Sequence, residues 1–114
     1  MLPRKNLVDL KKEFPRIRKE GKIYDSQSFG LIVAFGSGDG PQASFIVSKK
    51  VSKSSVIRHE IKRKLSDGVT PFFPRLGKKV ELVFLAKQKA VESNNDNFKI
   101  EIESVLYRAR LVTS

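Results

Sequence analysis

The side chains able to do chemistry here are few and mostly of one kind. The chain has one histidine, His59, no cysteine, and twelve carboxylates scattered among basic neighbours. No nucleophile, base and orienting group stand together as a catalytic set, and no spacing of acids or histidine suggests a metal site. His59, a lone histidine on a helix surface, reads as a polyanion contact or a plain surface residue rather than a catalyst. Cations are a different matter. Between Lys49 and Lys64, seven of them (Lys49, Lys50, Lys53, Arg58, Lys62, Arg63 and Lys64) stand against one acid, Glu60, in sixteen residues. Most charged helices simply present a solvated face. Here a Lys-Lys pair closes a strand, and a short turn keeps the following helix beside it, so the charge is concentrated as in a nucleic-acid footprint.

The elements that must carry these cations are legible. Gln42 to Lys50 reads as a strand in which Ala43, Phe45 and Val47 face one way and Ser44, Ile46 and Ser48 the other. The second, more polar set is suited to line a groove. From Ser54 to Leu65 the apolar residues Ile57, Ile61 and Leu65 recur every fourth place, which predicts a helix with that stripe on a core. Arg58 and Lys62 then form one column and His59 and Arg63 a second, while Glu60 precedes Lys64 by four residues, the favourable order for an ion pair. Ser54 or Ser55 is suited to cap the start and Gly68 to close the end.

Met1 to Val8 is basic, contains Pro3, and is expected as a flexible extended arm. Asp9 to Glu20 reads as a helix stopped by Gly21, with Leu10, Phe14 and Ile17 at helical spacing; Pro15 requires it to begin near Lys11 or Lys12. Lys22 to Asp25 and Phe29 to Phe35 are expected as strands. The segment Gly36-Ser37-Gly38-Asp39-Gly40-Pro41 has the composition of a phosphate loop but leads into a strand rather than a helix N-terminus, so a hairpin is expected. Val69 to Lys79 reads as a loop and Val80 to Lys87 as a buried strand. Asn94 to Asn97 precede a last helix from about Phe98 to Arg110, with a stripe of Phe98, Ile102, Val105, Leu106 and Ala109. The fold class is thus α+β: three helices and a four-stranded sheet in the order αβββαβα. The first three strands suit an antiparallel meander, and the link from the third to the last through the basic helix is a βαβ crossover, which general topology would make right-handed.

At 114 residues with 39% hydrophobic content, residues 1–114 are expected to form one small domain able to bury a core. A formal charge of +11 implies a negative partner, either nucleic acid or an anionic membrane surface. No apolar run approaches the ~18 residues of a spanning helix, and the cations at the start are not followed by a signal peptide's apolar segment. The absence of cysteine fits a reducing compartment, and the expected location is the cytoplasm.

The run Val47-Ser48-Lys49-Lys50 followed by Ser55-Val56-Ile57-Arg58-His59-Glu60-Ile61-Lys62-Arg63 resembles the protein subunit of bacterial ribonuclease P. That family has a strand ending Val-Ser-Lys-Lys, a short turn, then Ala-Val-x-Arg-Asn-Arg-Ile-Lys-Arg. His59 stands where the family has Asn, Glu60 where it has the second Arg, and Ser66 where it often has another Arg. The resemblance extends to the basic start, the Glu-Phe in the first helix followed by Gly, the Phe-led second strand, and the late strand and helix. It implies a left-handed crossover and a catalytic RNA that, with its own Mg²⁺, hydrolyses precursor tRNA to make the mature 5′ end. The protein would supply no catalytic residue, hold no metal itself and require no protein partner. Lys49, Lys50, Lys53, Arg58, His59, Lys62 and Arg63 would contact the catalytic RNA. Phe14, Arg18 and Phe29 would contact the single-stranded 5′ leader of precursor tRNA in a cleft between the first helix and the sheet. A structural RNA-binding protein of ribosomal type and a self-sufficient nuclease are the rival readings.

Overall fold

The computed structural model of the chain describes residues 2–36 and 40–112. Its elements follow the expected order: α1 (Leu10–Glu20), β1 (Lys22–Asp25), β2 (Phe29–Phe35), β3 (Gln42–Ile46), α2 (Ser55–Val69), β4 (Val80–Ala86) and α3 (Asn95–Arg108). Short 3₁₀ turns occupy Arg4–Asn6, Thr70–Arg75 and Gln88–Glu92, so the loop expected after α2 is partly helical. Asp9, Ser54 and Asn94 cap the three helices, each accepting a hydrogen bond from the backbone N–H three residues on. These satisfy donors that a helix start otherwise leaves unpaired.

β3 stops at Ile46 rather than Lys50 and α3 begins at Asn95 rather than Phe98, and three further expectations are not met. α1 starts at Leu10, leaving Pro15 inside it; Pro15 is exposed, so the Lys11 carbonyl that loses its partner lies on the water side. Gly68 does not end α2, which runs on to Val69. A Cβ at Gly68 would come within 2.7 Å of Ile102 Cδ1, so this glycine is the place where α2 and α3 approach closely rather than a stop signal. Ile57 is 36% exposed, although Ile61 and Leu65 of the same stripe are buried, because the first turn of α2 projects past the sheet.

The sheet order is β1-β2-β4-β3. β4 lies between β2 and β3, antiparallel to the first and parallel to the second, so β2 and β3 are not partners and the expected three-strand meander and hairpin are overturned. β4 has seven residues of which five are buried, and the centre of the sheet is where such a strand satisfies both its edges and both its faces. Of the loop expected as that hairpin, residues 37–39 lie outside the described residues.

Two apolar clusters sandwich the sheet. Phe29, Leu31, Val33, Ala43, Leu82 and Phe84 pack with Ile61 and Leu65 of α2 and with Phe98, Ile102, Val105 and Leu106 of α3. On the opposite face Ile32, Ala34 and Val83 pack with Val8 and Ile17, beneath α1. The handedness of the crossover follows from these faces. Gly36 N donates to Lys79 O and Lys87 N to Ser28 O, so odd-numbered residues of β4 turn their backbone groups toward β2, while Val83 shows that their side chains face α1. For L-residues this places β4 to the left of β3 when both run upward and are viewed from the α2 side. The path β3-α2-β4 is therefore left-handed, against the general rule.

The N-terminal segment, expected as a free arm, is laid along β3. Leu2 and Val8 are buried, Leu7 bridges Ala43 in parallel, and Val8 N donates to Ala43 O at 3.1 Å. Asn6 Nδ2 donates to Pro41 O at 3.0 Å, and Ser44 Oγ to Val8 O at 2.8 Å. Its apolar residues and the open edge of β3 account for this.

Candidate nucleic-acid interface

β3 passes through Val47 and Ser48 into a turn that carries Lys49, Lys50 and Lys53, all exposed, and Ser54 then opens α2. The turn is braced from two sides. Arg58 Nη1 reaches back to Ser52 O at 2.9 Å, and Gln88 Nε2 donates to Lys50 O at 3.2 Å. Lys49 and Lys50 thus stand at the foot of α2. His59 and Arg63 lie on its exposed face, with Arg58 and Lys62 half-buried on one shoulder. The Arg58 guanidinium is therefore partly a structural brace.

The other shoulder of α2 is different. Glu60, Arg63, Lys64 and Asp67 line, with Asn95, a shallow depression of about 290 Å³. The Glu60–Lys64 ion pair does not form: Lys64 Nζ lies 3.4 Å from Ser93 O, drawn to the segment before α3. Ser66, in the family's frequent Arg position, is buried with its Oγ unpartnered.

The expected groove lies on the α1 face. α1 covers Ile32, Ala34 and Val83 but leaves Ile46 and Leu85 partly exposed. Between them and β1, Gly30 is buried, but a Cβ added there would meet only Asp25 Oδ1, at 3.5 Å, so there is room above this position for a side chain. With about 100° per residue along a helix, Phe14 and Arg18 share the flank of α1 that borders this opening. Phe14 is half-buried against the sheet cluster and Arg18 is exposed. Across the opening, Lys87 pairs with Asp25 at 3.1 Å and donates to Ser26 O at 2.9 Å. Ile46 pairs in register with Leu85, so the groove floor leads at one end into the turn of Lys49 and Lys50 and the segment of Lys87 and Lys89.

Phe29 is a correction. It is fully buried on the opposite face, its ring 5.3 Å from that of Phe84 in an edge contact. Strand alternation places Phe29 under the helices and Gly30, not Phe29, at the groove. Lys87 joins the groove in its place, brought there by the central position of β4, which no local pattern announces.

At the other end of the sheet a second polar constellation went unforeseen. Arg16 Nη2 meets Glu81 Oε1 at 2.6 Å, Nε meets Glu13 Oε2 at 3.0 Å, and Nη1 lies 3.4 Å from Glu20 Oε2 and 3.3 Å from Phe35 O. The hydrogen bonds to Glu81 first and Glu13 second raise the Arg16 pKa above its ordinary value despite desolvation. Glu81, a lone acid in an apolar strand, was the available signal. Among the described residues, no group of three His, Cys, Asp or Glu is arranged to hold a metal ion; the three glutamates here converge on Arg16 instead.

The chain is similar to known proteins in sequence and in fold. The family model for ribonuclease P matches residues 2–110. A ribonuclease P protein component from Caldanaerobacter subterraneus is 33% identical, covering 95% of this chain and 94% of its own length. One from Rippkaea orientalis is 25% identical, covering 97% and 91% respectively. In fold, the chain is similar to the ribonuclease P proteins of Staphylococcus aureus, with a TM-score of 0.84 at 21% identity over 95% of this chain and 98% of that one, and of Thermotoga maritima, with 0.78 at 20% over 90% and 96%. The family-model match over residues 2–110, together with a 33% identical relative covered along almost its whole length, establishes that this chain belongs to the ribonuclease P protein family.

Proposed function

We propose that the chain acts as the RNA-binding subunit of ribonuclease P, contacting the catalytic RNA through the turn and outer face of α2 and holding the 5′ leader of precursor tRNA in the groove beside α1. The observation that carries this reading is the continuity of the two surfaces. Ile46 and Leu85 on the groove floor lead directly to Lys49, Lys50, Lys87 and Lys89, so one nucleic-acid strand in the groove would emerge at the foot of the basic helix. Exposed lysines there neutralise phosphates and release counterions, the main source of affinity for RNA. Phe14 offers a partly exposed ring for stacking, and Arg18 offers a cation for a phosphate.

In this reading bond cleavage belongs to the RNA. Mg²⁺, held by RNA, would supply charge stabilisation for in-line hydrolysis; Glu13, Glu20 and Glu81, the acids that converge in this chain, are engaged with Arg16 instead. The chain contributes substrate affinity, needs no further protein, and works in the cytoplasm. Among the described residues no helix is long and apolar enough to cross a membrane, and nucleic acid is the better match to the groove and turn than an anionic lipid surface.

Reconstitution tests this directly. The chain, its cognate catalytic RNA and labelled precursor tRNA together should yield the mature 5′ end at lower Mg²⁺ than the RNA needs alone. The chain by itself should yield no product. Cleavage without added RNA would instead support a self-sufficient nuclease, and no effect of the chain on the RNA's activity would overturn the proposal.

A further inference from the structure

The Arg16 constellation sits on the side of α1 away from the groove, and its geometry is unusual for a structural ion pair. One guanidinium joins three elements: Glu13 and Glu20 of α1 itself, Phe35 O at the end of β2, and Glu81 at the start of β4. The Glu81 side chain is only 8% exposed, on a strand otherwise composed of apolar residues and alanine. Space for it comes from Gly36, where an added Cβ would lie 2.7 Å from the Glu81 carboxylate. A backbone position without a side chain, a buried acid and a four-way acceptor set thus converge on one residue of α1.

At about 100° per residue, positions two before and two after a helical residue both fall almost diametrically opposite it. The two positions flanking Arg16 in this way are Phe14 and Arg18. The same rotation of α1 that brings Arg16 onto Glu81 therefore turns Phe14 and Arg18 toward the side of the sheet that carries Gly30 and the partly exposed Ile46 and Leu85. Ile17, fully buried between them, acts as the pivot. The apolar contacts of Leu10, Phe14 and Ile17 with the sheet resist lifting of the helix more than rolling, because apolar attraction is non-directional. The multidentate guanidinium supplies the direction.

We propose that Arg16 is a positioning residue for the leader groove: by clamping one flank of α1 to Glu81 and Phe35 O, it sets the roll of the helix and hence the placement of Phe14 and Arg18 over the sheet. The inference rests on the leader-groove reading above. Arg16 itself touches no substrate.

The test uses the reconstituted holoenzyme and two precursor tRNAs, one with a leader long enough to enter the groove and one with a single-nucleotide leader. Arg16→Met alone leaves Glu81 buried without its partner and risks misfolding, so Arg16→Met/Glu81→Leu is made as well, which removes the uncompensated buried acid. Both are compared with Arg16→Lys. The expected result for the folded variants lacking the clamp is a KM raised about tenfold for the long leader, with kcat unchanged and the short-leader substrate unaffected, a misplacement effect of ordinary size. Arg16→Lys, which keeps the charge toward Glu81, should recover part of the loss. Phe14→Ala and Arg18→Ala serve as the reference. If they discriminate between leaders and the folded double variant does not, the clamp is overturned and the groove stands. If neither they nor the clamp variants discriminate, the groove reading falls and the clamp with it. Equal losses on both substrates would mean that Arg16 only stabilises the fold, which also overturns the proposal.

Discussion

Glu60 is the residue that most distinguishes this chain's basic helix from the family pattern. It is exposed, its expected partner Lys64 has turned to Ser93 O, and it shares its shoulder with Asp67. The helix is thus divided lengthwise, with Arg58 and Lys62 on one side and, on the other, two acids interleaved with Arg63 and Lys64. Replacing Glu60 by Arg costs no ion pair and removes a repulsive charge. If that shoulder meets RNA, Glu60→Arg should tighten binding to the catalytic RNA and steepen its salt dependence by roughly 0.7–0.9 in log-log slope, the effect of one added phosphate contact. A titration at low salt that shows unchanged affinity would mean that the shoulder of Glu60 and Asp67 faces away from RNA. Ser66 illustrates the opposite case. The frequent Arg of the family is replaced here by a residue packed inside, where a long cation would have no solvent.

Among the elements, α3 is fastened to the β1–β2 turn by one carboxylate. Glu101 accepts from Ser26 Oγ at 2.6 Å, Ser28 N at 2.8 Å and Ser28 Oγ at 2.7 Å, and Ser28 Oγ lies 2.6 Å from Ser93 Oγ. Burial by itself would raise the Glu101 pKa, but the hydrogen bonds from Ser26, Ser28 and Gln27 outweigh it and hold the group below its ordinary 4.5. The folded state therefore binds this proton less readily than the unfolded chain. The resulting stabilisation is present above the unfolded value and is lost as pH falls through the lower folded value. Thermal melts of the native chain and Glu101→Gln should differ most at neutral pH, and the gap should narrow below about pH 4.5. A gap that stays constant down to pH 3 would assign the effect to shape rather than charge. At the far end of α3, Arg110 adopts a φ of 60°, with Leu111 N bonded to Leu106 O and Arg110 N to Tyr107 O. This is a Schellman closure built on a residue other than glycine, and it ends the helix at Arg108 rather than at Arg110.

Across the molecule, charge is distributed by topology rather than by sequence distance. Lys87 and Lys89 are remote from Lys49 in the chain, yet β3 and β4 run parallel and in register, so their ends coincide and these lysines adjoin the basic turn. Lys78 and Lys79, exposed just before β4, lie at the opposite end of the sheet and are the proper control. Replacing Lys49, Lys50, Lys62 or Arg63 singly by Ala should weaken RNA binding and flatten the log affinity against log salt plot by roughly 0.7–0.9 each. Arg58→Ala should do the same and also loosen the turn it braces at Ser52. Lys78→Ala and Lys79→Ala should change the slope little. Equal small changes in both sets would describe a uniformly basic protein and defeat the assignment of α2 as the RNA-binding element.

Element types, their order and the basic helix were legible in the chain because they depend on local periodicity and capping. The period of Phe98, Ile102, Val105 and Leu106 specifies a buried helix face wherever it packs, and Ser54 caps α2 by reaching only three residues. The family motif from Val47 to Arg63 is likewise local, and the left-handed crossover was anticipated only through it. The neighbours across the sheet were not legible. β2 and β3 follow one another in sequence, but the long apolar β4 is more stable between them than at an edge, and that choice set Phe84 beside Phe29 and brought Lys87 to the groove. The Arg16–Glu81 clamp joins residues 65 apart in sequence through a space left by Gly36. Such a contact is an outcome of how α1 rolls on the sheet, a packing solution that depends on every side chain beneath it and that no spacing of residues along the chain encodes.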